Sequence, residues 1–369
     1  MNEVRLGIIG VGSMGGNHAC AVLDGKINRL RLAAVSDINP RALEKFADPV
    51  RKFTDNRALI QSGEVDAVLI ATPHFDHTPS GIAALAAGLH VLVEKPISVH
   101  KADAERLIAA WKGAPQVFAA MFNQRTDPQY QRIRRMIQAG ELGELQRVCW
   151  TVTSWFRPQA YYNSGGWRAT WKGEGGGVLL NQCPHNLDLL QWLCGMPVRV
   201  RGFCGLGKRH QIEVEDEATA YLEYANGATG VFITGTGEAP GTNRLEICGD
   251  RGRLVLEDGG LRFTRNEIPA AEFLRTTREA FGTPPVWHVT FPDPKAGEQH
   301  IGILRNFTEA ILDGAPLLAP AAEGLHSVEL ANAMLYSSLT GQTVELPLDS
   351  AAYEACLQKL IRESRFSKP

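Results

Sequence analysis

The sequence lacks a strong charge of either sign. Its 38 Lys and Arg residues stand against 40 Asp and Glu residues, which leaves a formal net charge of −2. Nucleic acids and anionic lipid surfaces are bound mainly through clustered positive charge. The short basic group Arg132, Arg134 and Arg135 is better explained as the solvated face of a helix. We therefore expect neither nucleic acid nor a membrane as a partner.

Paired cysteines and long apolar runs are also absent. The 7 cysteines are scattered and never spaced as CxxC, which excludes a zinc knuckle and a disulfide framework and fits a reducing compartment. The most apolar stretch, residues 82–93, is interrupted by Gly88 and His90 and falls short of the roughly 20 residues that a membrane span needs. The charged residues Glu3 and Arg5 lead directly into a strand and do not form a signal peptide. These features predict a cytoplasmic protein, and no metal site is predicted.

Length and pattern together predict two domains. At 369 residues the chain exceeds the size at which a single core stops growing, about 250–300 residues. Residues 1–122 alternate short apolar strands with helical patterns, which is typical of a doubly wound parallel sheet. The later pattern is typical of an α+β domain with a mostly antiparallel sheet. We predict an α/β domain over residues 1–123 and an α+β domain over residues 124–369.

Hydrophobic periodicity and glycine caps predict the elements of each domain. In the first domain, strands are expected at residues 4–9, 32–35, 50–53, 65–71, 90–93 and 117–121, and helices at 39–47, 78–87 and 102–112. In the second, helices are expected at 127–139, 302–312 and 325–339, and strands at 145–155, 218–224, 229–234, 244–247 and 253–257. Residues 235–242 and 283–294 are expected to be long loops.

A glycine-rich turn follows the first predicted strand. Gly10, Gly12 and Gly15 form a GxGxxG pattern, and Ser13 and Met14 begin the helical stretch behind it. The first glycine permits a tight turn, the second lets a pyrophosphate approach the backbone, and the third lets helix and strand pack closely. The helix N-terminus then faces the phosphates. This pattern predicts a dinucleotide site.

Asp37 indicates which dinucleotide is bound. It ends the second predicted strand, 22 residues after Gly15, where an acidic residue accepts hydrogen bonds from ribose hydroxyls. Its charge would repel a 2′-phosphate, which favours NAD over NADP. Arg41 is close enough to leave NADP possible. The alternative for Asp37 is a local role as a helix cap beside Pro40.

Lys95 is the first candidate catalytic residue. It follows the strand at 90–93 and precedes Pro96, at the strand ends where open α/β sheets bind their ligands. A lysine held rigidly there could reach a nicotinamide. An ordinary surface lysine at a strand end is the alternative that spacing alone leaves open.

Asn181 and His185 are the second candidate pair. They lie four residues apart in the segment 174–195 and would share one face of a helix. Pro184 either kinks this helix or marks its true start. Asp188 could lie near the same face or serve packing. A histidine that merely packs or caps is the alternative for His185.

In this order, the motifs GVGSMG, ATPHFDH, EKP and GGGxLLNxxxH resemble those of the Gfo/Idh/MocA oxidoreductases over essentially the whole chain. The resemblance implies an N-terminal Rossmann domain, and a C-terminal α+β domain whose open antiparallel sheet forms a homodimer or homotetramer. It implies hydride transfer between a sugar or cyclitol hydroxyl and NAD, with NADP possible. Two other activities found among relatives stay open: NAD-retaining glycosidases that oxidise the sugar transiently, and non-catalytic dinucleotide-sensing regulators.

The resemblance also assigns roles to residues. Lys95 would hydrogen-bond the reacting hydroxyl, the bond before Pro96 would be cis, and His185 would be the general acid/base. Asn181 stands where many family dehydrogenases have Asp, and an amide orients a hydroxyl or His185 without supplying charge. The expected cofactor-binding residues are Gly10, Gly12, Ser13, Met14, Gly15, Asp37, Thr72, Pro73, His77, Glu94, Lys95 and Pro96.

Aromatic residues support a sugar-like substrate. Four of the 7 Trp residues fall at positions 150, 155, 167 and 171, interleaved with Tyr, Arg and Lys. Aromatic faces cover the C–H faces of sugar rings, while polar side chains satisfy the hydroxyls. Trp150 is expected in the core. The expected substrate-binding residues are Asn123, Arg125, Trp155, Trp167, Arg168, Asn181 and His185.

Overall fold

Six parallel strands form the first sheet of the computed structural model, which describes residues 2–292 and 296–368. In chain order they are β1 (Val4–Ile9), β2 (Leu30–Ser36), β3 (Arg51–Phe53), β4 (Ala67–Ile70), β5 (His90–Val93) and β6 (Phe118–Ala120). The spatial order β3-β2-β1-β4-β5-β6 reverses direction between β1 and β4. This is the predicted doubly wound sheet, and ligands bind such sheets at the reversal point.

Helices connect these strands. They are α1 (Ser13–Leu23), α2 (Pro40–Leu43), α3 (Asn56–Ile60), α4 (His77–Ala86) and α5 (Lys101–Trp111). The helix predicted at 39–47 is reduced to the single turn α2, which begins at Pro40 and ends at Leu43. The short helix α3, capped by the Asp55 side chain, was not predicted.

Nine strands form the second sheet. They are β7 (Leu145–Val152), β8 (Arg199–Leu206), β9 (Glu215–Glu223), β10 (Thr229–Gly235), β11 (Asn243–Gly249), β12 (Gly252–Glu257), β13 (Gly260–Asn266), β14 (Val286–Thr290) and β15 (Val344–Glu345). Their order is β14-β13-β12-β11-β7-β10-β9-β8-β15, and all neighbours are antiparallel except β7 and β10. The mostly antiparallel sheet is confirmed.

Several second-domain predictions need correction. The loop predicted at 283–294 contains β14, which pairs with β13 as an edge strand; positions 293–295 lie outside the described residues. Strands β8, β13 and β15 were not predicted. The loop predicted at 235–242 is confirmed for residues 236–242, since Gly235 still belongs to β10.

The helices of the second half are α6 (Pro128–Gln138), α7 (Gln159–Asn163), α8 (Pro184–Cys194), α9 (Ala270–Thr276), α10 (Gln299–Asp313), α11 (Gly324–Thr340) and α12 (Ser350–Glu363). The prediction that Asn181 and His185 share one helix face is wrong, because residues 171–183 form successive turns. The alternative that Pro184 marks the true helix start is confirmed, since it is the first residue of α8. Proline lacks the N–H that a helix interior needs but fits the first helical position. Asn181 therefore precedes the helix that carries His185.

The chain returns to the first core near its end. Ile303, Leu304 and Phe307 of α10 are buried in the same cluster as the first sheet, together with Ala319 and Ala321. Residues after 123 thus contribute to both cores. Within residues 2–292 and 296–368, no helix combines the length and apolar character that crossing a membrane requires.

Candidate active site

In the glycine-rich turn between β1 and α1, there is free space beside Gly12 but none beside Gly15. A Cβ on Gly15 would lie 1.8 Å from the Gly10 carbonyl oxygen, whereas a Cβ on Gly12 would meet no atom within 4 Å. No side chain caps the N-terminus of α1, which begins at Ser13. Across the turn, the Thr72 hydroxyl is buried and has no hydrogen-bond partner among the residues that the structure describes. An open helix N-terminus beside an open glycine fits a dinucleotide pyrophosphate.

Asp37 is fixed beside this turn at the end of β2. Its Oδ2 accepts a hydrogen bond from the Val11 N–H (3.0 Å) and its Oδ1 accepts one from the Asn39 N–H (2.9 Å). The cap of α2 is the Asn39 side chain, so the alternative role of Asp37 as that helix's cap does not apply. Lys45, which the sequence did not single out, donates from Nζ to the Val11 carbonyl (3.0 Å).

The loop after β4 and the loop after β5 are joined by His77. Its Nδ1 lies 2.8 Å from the Pro96 carbonyl oxygen and its Nε2 lies 2.8 Å from the Thr72 carbonyl oxygen. Whichever ring nitrogen carries the proton, a carbonyl oxygen accepts its hydrogen bond. The Lys95–Pro96 peptide bond is cis, as the resemblance implies. Among the expected cofactor-binding residues, His77 therefore holds the two loops together, and Pro73 lies in the loop that it anchors.

Glu94 and Lys95 place opposite charges at the end of β5. Glu94 is buried, with Oε1 2.7 Å from His18 Nε2 and Oε2 accepting from the Lys95 N–H at 3.0 Å. Although burial raises the pKa of Glu94, the His18 contact and nearby Lys95 bring it to about 2. Lys95 Nζ donates to the Asn181 main-chain carbonyl at 2.8 Å. Burial lowers the pKa of Lys95, and the negative charge of Glu94 opposes that change.

His185 is buried near the start of α8, beside Lys95. Its Nδ1 has no hydrogen-bond partner among the described residues, and its ring meets the Phe122 ring edge-on at 6.4 Å. Burial, followed by the charge of Lys95, lowers the pKa of His185 to about 3. The imidazole is therefore neutral at neutral pH and able to accept a proton.

Arg168 and Trp167 lie in one cluster with Asn181. The Arg168 guanidinium is 4.7 Å from the Trp167 ring centre and 4.6 Å from that of Tyr161. It donates to the Tyr161 hydroxyl at 2.8 Å, and that hydroxyl lies 3.4 Å from Asn181 Oδ1. The Trp167 ring also meets His74 at 5.6 Å. The structure thus brings these predicted substrate residues next to the residue that holds Lys95.

Two other predicted substrate residues already form hydrogen bonds with neighbouring side chains. Asn123 donates to the Gln299 side chain at 2.7 Å, and its Oδ1 is buried without a partner. Trp155 is half-buried and donates from Nε1 to Asn186 at 3.1 Å. Trp150 is fully buried in the core, as predicted.

Arg125 is placed in a buried ion pair. Its guanidinium is 0% exposed and donates twice to Asp188, at 2.8 and 2.6 Å, and once to Glu323, at 2.5 Å. These contacts use the groups that a substrate would need, so the structure gives Arg125 a structural role in place of the predicted substrate contact. The same pairing settles Asp188, which packs against Arg125.

Sequence reasoning missed Glu174. Its carboxylate is buried and accepts hydrogen bonds from the Asn181 side-chain amide and from the Ala169 N–H. Its position before Gly175 was the only signal, and acidic residues before glycines are too common to be informative. A negative charge therefore lies directly behind the amide at position 181. Among the described residues, no group of three His, Cys, Asp or Glu side chains is arranged to hold a metal ion.

These features define an oxidoreductase that binds a dinucleotide at the switch point of its parallel sheet and carries a neutral histidine and a lysine beside it. Two family models match the chain: the oxidoreductase family with an NAD-binding Rossmann fold over residues 4–122, and the GFO/IDH/MocA C-terminal domain over residues 130–255. The chain belongs to the Gfo/Idh/MocA family and is an NAD-binding oxidoreductase.

Individual relatives have similar sequence identities to this chain. Myo-inositol 2-dehydrogenase of Thermotoga maritima is 26% identical over 268 residues, covering 69% of this chain and 75% of the relative. Inositol 2-dehydrogenase of Rhizobium meliloti is 28% identical over 346 residues, covering 90% and 96%. The crystal structure of the WlbA dehydrogenase from Bordetella pertussis in complex with NADH and UDP-GlcNAcA matches with a TM-score of 0.78 at 26% identity, covering 94% and 100%.

Proposed function

We propose that this protein oxidises a ring hydroxyl of a sugar, sugar derivative or cyclitol with NAD, using His185 as general base and Lys95 as hydrogen-bond donor to the reacting hydroxyl. The observation that carries this proposal is the buried, neutral His185, whose Nδ1 has no hydrogen-bond partner among the described residues and whose pKa is lowered by burial and by the charge of Lys95. The similarity to inositol dehydrogenases and to a dehydrogenase crystallised with a nucleotide sugar supports the substrate class.

Different residues would bind the cofactor, accept the proton and stabilise the negative charge. Bound NAD would supply the acceptor for the hydride that leaves the carbon bearing the hydroxyl. The open N-terminus of α1 and Gly12 would hold the pyrophosphate, and the fixed carboxylate of Asp37 would accept from the ribose. His185 accepts the hydroxyl proton, since its imidazole is neutral. Lys95 gives one of its three N–H groups to Asn181, so the others are free to stabilise negative charge on the reacting oxygen.

The substrate class is tested with a panel of sugars, uronic acids, nucleotide sugars and cyclitols, offered with NAD and with NADP. We expect stoichiometric formation of reduced nicotinamide with at least one member. Hydrolysis of a glycoside without net NAD reduction would instead support the NAD-retaining glycosidase. Binding of NAD and a sugar without any turnover would support a sensor.

The base assignment is tested with His185→Ala. General-base assistance is typically a factor of about 10²–10⁴ in rate, so kcat/KM should fall by that factor. NAD affinity, measured by titration, should barely change because the pyrophosphate site lies at the turn before α1. His288→Ala is the control, since His288 is exposed on the edge strand β14. If His185→Ala keeps more than about half of the activity at its optimum pH, the assignment is wrong.

A further inference from the structure

Glu174 is a buried carboxylate for which the proposed function leaves no role. It precedes the glycines at 175–177 and is 2% exposed. Its Oε2 accepts a hydrogen bond from the Ala169 N–H at 2.5 Å, and its Oε1 accepts one from the Asn181 side-chain amide. Its main-chain carbonyl oxygen lies 3.3 Å from His74 Nδ1. The carboxylate is therefore held on both oxygens beside the site.

The partners of Glu174 indicate its charge state. Both groups that face the carboxylate are N–H donors, and an ionised carboxylate accepts from both without a proton of its own. The Asn181 side chain is oriented with its NH2 group toward Glu174, since its Oδ1 faces two donors, the Tyr161 hydroxyl at 3.4 Å and Gln182 Nε2 at 3.3 Å. Burial raises the pKa of Glu174, whereas the hydrogen bonds from the Ala169 N–H and the Asn181 amide and the charges of Arg168 and Lys95 lower it and favour the ionised form.

Asn181 joins this carboxylate to Lys95. Its side chain is held by Glu174, while its main-chain carbonyl accepts from Lys95 Nζ at 2.8 Å. Opposite charges thus lie at the two ends of one residue, in buried surroundings where electrostatic interactions are stronger than in water. We propose that Glu174 is a positioning residue, which fixes the Asn181 carbonyl that receives the Lys95 ammonium and supplies the negative charge that balances it. This inference rests on the proposed function, because Lys95 has its catalytic role there.

Other charges near Lys95 are already engaged. Glu94 is the other carboxylate that raises the pKa of Lys95 against the effect of burial, and it is paired with His18 at 2.7 Å. No Lys, Arg or His nitrogen within residues 2–292 and 296–368 lies within 4.0 Å of the Glu174 carboxylate. The remaining titratable groups that act on Lys95 or Glu174, or on which these two act, are Arg168, Cys183, His74, His185, His300, Lys368, Tyr162 and Glu215.

The sign of the expected effect follows from the charge. Burial already lowers the pKa of Lys95, and the negative charge of Glu174 works against that change. Replacing Glu174 by glutamine keeps the shape and removes the charge, so Lys95 loses its proton at a lower pH. We expect a shift of roughly half to one pH unit, at the lower end of the effect of a nearby opposite charge because one residue separates the two groups.

The test follows Lys95 directly. The full-length chain is labelled with ¹³C-lysine, and the Cε signal of Lys95, assigned from its loss in Lys95→Arg, is titrated with and without NAD. Glu174→Gln should lower the Lys95 midpoint and move the basic limb of kcat/KM to lower pH by the same amount. Glu215→Gln is the matched control, since Glu215 is also buried and bonds the same segment, but through the Gly177 and Leu179 N–H groups. Its Lys95 midpoint should match that of the unmodified protein.

An exchange variant separates charge from shape. In Glu174→Gln/Asn181→Asp the amide and the carboxylate trade places, so a Gln N–H can donate to the new Asp while the Gln oxygen still accepts from the Ala169 N–H. The negative charge returns to the neighbourhood of Lys95, and its midpoint should rise again toward the unmodified value. A purely structural role for Glu174 does not predict this rescue.

Two results would overturn the inference. One is a Lys95 midpoint in Glu174→Gln that coincides with that of the unmodified protein; the other is a midpoint in the exchange variant that stays as low as in Glu174→Gln. Failure of the proposed function has a different signature, namely no oxidation of any sugar or cyclitol by the unmodified protein. The NMR titration decides on Glu174 in that case as well.

Discussion

At the scale of residues, burial and neighbouring charges together set the charge of the groups around the end of β5. His185 is kept neutral because the site removes its water and places Lys95 beside it, which lowers its pKa to about 3. Glu94 is equally buried, yet His18 and Lys95 keep it ionised. A neutral base next to a cation suits removal of a proton from a hydroxyl, because the cation stabilises the oxygen that loses it.

The cofactor preference is also decided at one residue. Asp37 places a carboxylate at the end of β2, so we expect a higher kcat/KM with NAD than with NADP. In Asp37→Ser the ratio of the two values should fall about fivefold or more, since a short-range like-charge interaction is worth on the order of 1 kcal/mol or more. Asp37→Asn is the matched variant, because it removes the charge but keeps an acceptor for the Val11 N–H.

Equal kcat/KM with NAD and NADP in the unmodified protein would contradict this expectation. If Asp37→Asn keeps the NAD preference while Asp37→Ser loses it, the hydrogen bonds of Asp37 and not its charge determine the preference. Lys45 and Arg41 are the nearby cations that could then accommodate a 2′-phosphate.

At the scale of elements, helix starts decide where chemistry can occur. α1 begins directly after Gly12, without a capping side chain, and so presents its N–H groups to a ligand. α8 begins at Pro184, and the turns before it, residues 171–183, place Glu174 and Asn181 side by side. A continuous helix through this segment would separate residues 174 and 181 by about two turns along its axis.

The two glycines at the start of α1 should respond differently to alanine. In Gly15→Ala the new methyl group would overlap the Gly10 carbonyl oxygen, and overpacking of this kind costs about 1–3 kcal/mol or more. In Gly12→Ala the methyl group has free space, so the melting temperature without NAD should fall less, through the weaker N-cap alone. NAD binding should nevertheless weaken strongly, because that space would receive the pyrophosphate.

Thermal melting without NAD and calorimetric titration of NAD measure the two effects separately. The prediction fails if Gly12→Ala melts as low as Gly15→Ala, or if Gly12→Ala binds NAD as tightly as the unmodified protein does. The first result would mean that the space at Gly12 is not open, and the second that this space is not the pyrophosphate position.

At the scale of the whole molecule, the two faces of the nine-stranded sheet differ. Leu222 on β9 is buried against the helices, whereas its neighbour Tyr221 is 42% exposed and Phe203 on β8 is 58% exposed. Val231 and Ile233 on β10 share this outer face, since they pair with Tyr221 and Thr219. Large apolar side chains exposed on one face of a sheet are typical of an interface between protein chains.

We expect a second copy of the chain to cover this face, as the sequence predicted. Phe203→Glu/Tyr221→Glu should shift the protein from a dimer or tetramer toward the monomer in light scattering coupled to gel filtration. Leu274→Glu is the control, because Leu274 is 80% exposed on α9, away from this face. An unmodified protein that is monomeric at micromolar concentration would contradict the prediction.

The sequence by itself determined the features that depend on local pattern. Apolar runs bounded by glycine located the parallel strands along the chain. The spacing of Gly10, Gly12 and Gly15 located the dinucleotide turn. The nine-stranded sheet was recognised as mostly antiparallel, but strands without clear alternation were missed, such as β14 at its edge. Edge strands make fewer contacts, so their sequences carry a weaker pattern.

Only the tertiary structure decided which polar groups meet. Arg125 pairs with Asp188 and Glu323, and Lys95 is bonded through Asn181 to Glu174. Each of these contacts joins residues that belong to different turns, strands or helices, so no local periodicity encodes it. A buried charge requires a partner, but its identity depends on how the elements pack, and that is why the roles of Arg125 and Glu174 could be read only from the folded chain.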